Sequence, residues 1–227
     1  MEKIIFEMFA TVLATISALL PIANPLMTVA ILPGMAAHLS DAEREAQVKR
    51  ACIYMAAILV TFLLAGALIM DFFNISIPGL RIAGGLIVSY FGFDMLFAEP
   101  GDHEIAPDDK GSGKGKRDIS FTPLAMPSLS GPGSIAVVIS MSTGVHSQTA
   151  LPVWLGYLTV VCGILLVAYI SWLTLRASGK LYRFLGEDGI NAISRIMGFL
   201  LICIGVQFVI NGIGNLLHDP AFWPLAK

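Results

Sequence analysis

The sequence predicts an all-α polytopic membrane protein, with six transmembrane helices forming two inverted three-helix repeats and the first and fourth spans broken. Three observations lead there. The 227 residues are 56% hydrophobic and only 13% charged, with a mean hydropathy of +0.79; a soluble domain carries about 25% charged residues, so this chain has too little charge to cover a water-facing surface. Six segments reach the roughly 20 apolar residues that a spanning helix needs. Two of those segments are interrupted in their interior, by Asn24-Pro25 and by Gly131-Pro132, and each half of the chain ends on a similar arginine-led span.

The first segment, 5–34, follows a lone Lys3 and far exceeds the roughly 7–15 apolar residues of a signal-peptide core, which predicts an uncleaved span. The second, 51–71, is preceded by "SDAE", where Ser40 and Glu43 have capping-box spacing, so the helix is expected to start early, at the membrane interface. The third, 79–98, has Ser76 and Pro78 suited to its first turn. Then comes "EPGDHEIAPDDKGSGKGKRD", rich in Gly, Pro and charge, which reads as an aqueous loop; His103 among its acids is a solvated residue and not a metal ligand. The fourth, fifth and sixth spans are 120–142, 151–175 and 191–215. Residues 1–98 form the first repeat, 99–119 a cytoplasmic polar loop, and 120–227 the second repeat.

Orientation follows from the basic residues of short loops. Arg44, Lys49, Arg50, Lys110, Lys114, Lys116, Arg117, Arg176, Lys180 and Arg183 fall after the first, third and fifth spans, and only Lys3 and Lys227 fall on the other side. The basic loops are therefore expected in the cytoplasm and both termini in the periplasm of a cell with an inner membrane. The net charge of -2 and the lack of a basic patch with interleaved aromatics argue against a nucleic-acid partner. Cys52, Cys162 and Cys203 stand singly in apolar stretches and read as packing residues, and His38, His103, His146 and His218 fall in loops or span ends. No metalloprotease pattern, paired carboxylate or Ser-His set lies within the spans, so neither catalysis, a metal nor a cofactor is expected.

The two halves resemble each other. "RIAGGLIVSYFGFDMLF" from Arg81 aligns with "RIMGFLLICIGVQFVIN" from Arg195, and "ALLPIANPLMTVAIL" from Ala18 with "AMPSLSGPGSIAVVI" from Ala125, which sets Asn24-Pro25 on Gly131-Pro132. Three spans per copy is odd, so the second copy must enter the membrane upside down, as in many secondary transporters. Pro25 cannot donate to the carbonyl four residues back and costs roughly 3 kcal/mol in a helix interior, while Asn is a good N-cap with Pro favoured after it. "NP" thus reads as the start of a new half-helix, and "SGPGS" likewise. Two such starts at membrane depth offer unpaired amides that favour an anionic group, and the fragments ending before them offer carbonyls of opposite polarity. Together they suit a zwitterion, with hydrogen bonds from Asn24, Thr28, Ser128, Ser130 and Ser134 and close backbone approach at Gly131 and Gly133. The plainer alternative is that Pro25 and Pro132 only kink their helices. Arg81 and Arg195 read equally as gating or substrate residues and as snorkelling anchors, and Gly84, Gly85 and Gly198 as sites of close helix packing. Gln207 and Asn211, one turn apart, read as interhelical glue.

The stretches "ISIPGLRIAGGLIV" (75–88), "FTPLAMPSLSGPGSIA" (121–136) and "AISRIMGFLLICIGVQFVINGI" (192–213), with "NP" and "GPG", resemble the MarC family of bacterial inner-membrane proteins. The resemblance implies six spans, kinship with neutral amino-acid transporters, and importance for Asn24, Pro25, Arg81, Gly84, Gly85, Gly131, Pro132, Gly133, Arg195 and Gly198. Many members follow the Asn-Pro pair with Ile-Gly; here Leu26 and Met27 follow, and Met27 adds bulk beside the break. The function expected is secondary transport of small neutral solutes, amino acids first among them, by alternating access around the two broken helices in a lipid bilayer. A drug or metabolite exporter and a scaffold without transport activity are the alternatives, and the sequence allows a homo-oligomer without specifying one.

Overall fold

A computed structural model describes residues 2–36, 39–97, 118–148 and 152–218, and every regular element among them is helical. The polar loop, with His103, lies outside the described residues except for Asp118 and Ile119. The first span is two helices, α1 (Glu2–Ala23) and α2 (Pro25–Met35), separated by Asn24 alone. Helix α3 (Asp41–Phe72) joins the interfacial start and the second span in one 32-residue rod. Its capping box is formed: Ser40 Oγ accepts from the Glu43 amide at 3.4 Å while Glu43 Oε2 accepts from the Ser40 amide at 3.0 Å. Helix α4 (Ile77–Phe97) begins where Ser76 Oγ accepts from the Gly79 amide.

The fourth span departs most from a regular helix. Residues Ser120–Leu129 wind loosely as a π-helix, with Thr122 and Met126 in extended backbone. Both precede a proline, and the proline ring disfavours helical dihedrals in the residue before it. After Ser130 and Gly131 comes α5 (Pro132–Gln148), then α6 (Val153–Arg176) and α7 (Ser178–Leu217), which is bent at Gly186.

Five stretches are long and apolar enough to cross a membrane: 2–29, 41–72, 77–97, 153–176 and 188–217. The apolar part of α5, Pro132–Val145, would run about 21 Å at 1.5 Å per residue, short of the roughly 30 Å hydrocarbon core. Large apolar side chains such as Phe6, Phe72, Tyr90, Phe97 and Trp154 are exposed, while Leu19, Leu59, Leu63, Leu129 and Ile164 are completely buried. Apolar residues thus fill the core and also coat the outside, as a lipid-facing bundle requires.

The tightest seam joins α4 to α7. Glycines recur at seven-residue intervals on both: Gly85 and Gly92 against Gly198, Gly205 and Gly212. A β-carbon on Gly85 would lie 2.5 Å from the Gly205 carbonyl oxygen, one on Gly92 2.7 Å from that of Gly198, and one on Gly212 3.0 Å from that of Pro78. Ascending numbers on one helix meet descending numbers on the other, so α4 and α7 run antiparallel. Small residues let the backbones touch, which is how helices associate where lipid removes most of the hydrophobic drive.

The remaining packing follows one pattern. α1 lies on α6 as Ser120–Leu129 lies on α3; α2 lies on α7 as α5 lies on α4; α2 meets α6 as α5 meets α3. At one end of the bundle Arg176 Nε pairs with Glu45 at 2.9 Å and Arg50 with Asp118 at 3.7 Å. The start of α3, the end of α6 and the entry to Ser120–Leu129 therefore share one end. Gln207 and Asn211 bond to each other on the exposed side of α7, at 2.9 Å, and not across to another helix.

Candidate functional site

Of the prolines in the first span, only Pro25 ends a helix; α1 continues through Pro21, and α2 spans Pro33. Asn24 decides this. It takes up left-handed backbone, φ 37° and ψ 64°, which among non-glycine residues Asn tolerates best. Its amide still donates to the Leu20 carbonyl, closing α1, while its Oδ1 accepts from the Met27 amide at 3.3 Å, opening α2. Its Nδ2 donates to Met95 Sδ at 3.2 Å, so the buried side chain also ties the break to α4. Met27 and Met197 pack on the same small core as Met95, Val88 and Leu201. Thr28 is buried one turn into α2.

At the second break Gly131 is the cap, and its carbonyl accepts from Ile135 at 3.1 Å. Pro132 is exposed and Ser128 half-buried. Ser130, completely buried, spends its hydroxyl on the Ala125 carbonyl at 2.7 Å, so it offers no donor to a ligand. Ser134 is 1% exposed, and among the described residues its hydroxyl has no hydrogen-bond partner.

The two breaks are neighbours. A β-carbon on Gly133 would lie 2.6 Å from Val88 Cγ2 and 3.2 Å from Ile22 Cγ2; Ile22 stands two residues before Asn24, and Gly133 two residues after Gly131. Leu80, Arg81, Gly84, Val88, Gly133, Ala136, Val137 and Phe208 line a crevice between α4, α5 and α7 that is too narrow for a water-sized sphere. The site is shut.

Arg81 reaches across this crevice, its Nε donating to Ser140 Oγ on α5 at 2.9 Å. Gly84 brings α4 onto α5, where a β-carbon would lie 2.6 Å from that of Ala136, whereas Gly85 and Gly198 belong to the α4–α7 seam. Arg195 is exposed on α7, and the antiparallel register puts it near the far end of α4 from Arg81. The structure thus places Arg81, Gly84 and Gly133 along one crevice with Val88, ties Asn24 to Met95 two turns further along α4, and leaves the exposed Arg195 and Pro132 outside. Sequence reasoning missed Met95, Ser140 and Val88, whose roles come from partners distant in the chain. It also missed Gly92, Gly205 and Gly212, which their seven-residue spacing could have flagged.

An all-helical bundle with lipid-coated flanks and two interrupted helices meeting inside defines a multi-pass integral membrane protein. The chain matches the family described as "MarC family integral membrane protein" over residues 9–217. It is 46% identical over 212 residues to the inner membrane protein MarC of Citrobacter koseri, covering 91% of this chain and 96% of that one, with the same identity and coverage for the MarC proteins of Salmonella typhimurium and Escherichia coli. The chain belongs to the MarC family and is an inner-membrane protein. No solved structure matches it.

Proposed function

We propose that the protein is a secondary transporter of small neutral solutes, above all neutral amino acids, working by alternating access around the two breaks. The observation that carries this is the meeting of two helix starts across Ile22, Val88 and Gly133, beside a crevice lined by small and apolar residues and by Arg81. In this reading residues 1–98 and 120–227 are inverted copies, and Ser120–Leu129 with α5 makes the sixth crossing. The antiparallel α4–α7 seam and the matched packing of the two halves support the inversion. The shared end bearing Arg50 and Arg176 supports a cytoplasmic face there, with both termini periplasmic. Alkaline-phosphatase fusions at Ser112 and His146 test that orientation; periplasmic activity at Ser112 would reverse it.

The transport test is uptake of radiolabelled alanine, glycine, serine and threonine into proteoliposomes. Gly131→Leu should abolish uptake without preventing insertion, and Arg176→Ala should leave it unchanged. Failure of all four amino acids would end the amino-acid reading. One observation favours a second: Met27, Met95 and Met197 share one core beside Asn24, and methionine is the adaptable lining of promiscuous apolar sites. Export of an apolar compound is therefore the alternative, and uptake of a lipophilic dye that amino acids do not inhibit would select it.

A further inference from the structure

We propose that the outer face of α7, centred on Gln207, is the contact between two copies of this chain. The contact is independent of the transport reading. Gln207 and Asn211 are both exposed, and among the described residues their amides bond only to each other, Gln207 Nε2 donating to Asn211 Oδ1 at 2.9 Å. Gln207 stands ten residues before Leu217, the end of the 188–217 span, so about 15 Å of helix separates it from that end. Cys203, exposed one turn earlier, falls at the middle of the span. The exposed Thr61 of α3 shows the usual remedy for a polar side chain in lipid: its hydroxyl donates to the Ala57 carbonyl, four residues back, at 2.8 Å. A hydroxyl has one hydrogen to place, but a carboxamide has two donors and two acceptor lone pairs. The Gln207–Asn211 bond leaves the Gln207 Oε1, one hydrogen of Gln207 and both of Asn211 to be satisfied. Lipid tails supply neither donor nor acceptor, and an amide held in hydrocarbon without partners is strongly disfavoured.

The groups left over fit a second copy. The acceptor Gln207 Oε1 and the donor Asn211 Nδ2 stand on one ridge, so the face carries both halves of each bond it lacks. Two copies inserted the same way are related by a two-fold axis along the membrane normal. Their α7 helices then run parallel, and each residue at the crossing meets its own counterpart. Gln207 Oε1 of one copy accepts from a carboxamide N–H of the other, and the symmetry repeats the bond. A lipid phosphate offers acceptors alone and sits with the headgroups, outside the hydrocarbon core, so it leaves Oε1 unpaired. The face is also available. At about 100° per residue, Gln207 lies roughly 200° round the helix from Gly205, opposite the seam with α4. Cys203, Gln207 and Asn211 form one i, i+4 row, a ridge of the kind that packs helix on helix, and the exposed Leu200 and Ile210 flank it with apolar surface. Carboxamides hydrogen-bond across facing membrane helices, and a single such polar position sets the register of a helix pair.

Cysteine cross-linking of the intact chain in membranes tests the contact. Cys52→Ser with Cys162→Ser keeps only Cys203, one turn from the crossing; Cys52→Ser with Cys203→Ser keeps only Cys162, exposed on α6. Copper phenanthroline, the oxidant, joins two thiols as a disulfide only where their Cα atoms come within about 7 Å. The Cys203 form should give a covalent dimer of twice the chain's mass, and the Cys162 form none. The native chain, diluted through phosphatidylcholine vesicles and counted by photobleaching steps, should show a monomer–dimer equilibrium. Gln207→Leu should weaken that dimer about tenfold, equal to about 1.4 kcal/mol, Gln207→Asn less, and Thr61→Leu not at all. Should Gln207→Leu fail to insert, cross-linking of the Cys203 form decides. Absence of the Cys203 link, or a single chain at every dilution, overturns the contact. A dimer that survives Gln207→Leu, or that links through Cys162, places the interface elsewhere and overturns it too. A Cys203 product of any other mass gives the face to a different protein, with the same consequence.

Discussion

Adding one methyl group to the α4–α7 seam tests the packing that holds the two halves together. In Gly85→Ala the new β-carbon would lie 2.5 Å from the Gly205 carbonyl oxygen and 3.0 Å from Phe208 Cβ, whereas ordinary contact begins at 3.4 Å. The obstructing atom is backbone in the middle of a helix, so no rotamer change relieves it. The helices must separate by about 0.9 Å, the difference between 3.4 and 2.5 Å. A gap of that size forfeits a quarter to a half of each contact it opens, and the neighbouring Gly92–Gly198 and Pro78–Gly212 contacts open with it. Overpacking costs roughly 1–3 kcal/mol, here at the upper end, and the better helix propensity of Ala returns about 1 kcal/mol. The net is about 2 kcal/mol, roughly a 30-fold loss in the folded-to-unfolded ratio at 1.4 kcal/mol per factor of ten. Reversible unfolding in mixed dodecyl sulfate–maltoside micelles, followed by tryptophan fluorescence, reads this directly. Gly205→Ala, whose β-carbon would lie 2.5 Å from the Gly85 carbonyl oxygen and 2.8 Å from the Ser89 amide nitrogen, should cost at least as much, and the double variant less than the sum, because the helices separate only once. Gly214→Ala, with nothing within 4 Å, is the control and should stabilise by about 0.4–1 kcal/mol. If Gly85→Ala shifts stability in the same direction as Gly214→Ala, the seam is not closed as described.

Asn24→Ala should destabilise more than Asn24→Gly, because both lose the cap, worth about 0.5–2 kcal/mol, but only Ala resists the left-handed backbone; Ala equal to Gly in unfolding titrations would contradict the strain argument. Gly186, at φ 66° and ψ 178°, has open space around it but occupies a region that glycine alone enters readily, so Gly186→Ala should cost about 1–3 kcal/mol, and a neutral result would show that the bend is not held. Asp118 is exposed, and its carboxylate is held below the usual range first by the Ser120 hydroxyl, then by the Ser120 amide and Arg50. A depressed folded pKa gives stability that is present above the unfolded value of about 3.9 and is lost as pH falls through the folded value. The small stability gap between the native chain and Asp118→Asn should therefore be constant near pH 7 and close below pH 4; a gap that widens on acidification would reverse the assignment.

Features set by local chemistry were legible in the sequence. Ser40 and Glu43 announced the start of α3, Ser76 that of α4, and Asn24-Pro25 the first break, because a cap needs only residues within one turn. Features set by partners were not. Asn24 was legible as an N-cap, but its left-handed backbone, which accompanies the bond to Met95, 71 residues away, was not. Arg81 was balanced between anchor and site until Ser140, 59 residues on, fixed its direction. The winding of Ser120–Leu129 lay between these extremes: Pro123 and Pro127 were visible, but proline alone does not say whether a span kinks or unwinds. Pro21 shows the converse, a helix breaker absorbed within the last turn of α1.

A break made of one residue behaves mechanically as a swivel. The 11 residues of α2 form a rigid arm about 16 Å long, and turning Asn24's two dihedrals rotates that arm without stretching any hydrogen bond inside it. A 10° turn would carry the far tip, at Met35, about 3 Å while moving Met27, beside the pivot, by less than about 1 Å. The glycine seam of α4 and α7 would be the stator against which the arm swings, since its backbones already touch. The two interruptions are held differently: the Asn24 side chain ties the first to Met95 of a neighbouring helix, while the Ser130 hydroxyl ties the second to Ala125 of its own segment. Swinging that arm would cost the Asn24 bond to Met95, so a single asparagine is both the pivot and its latch.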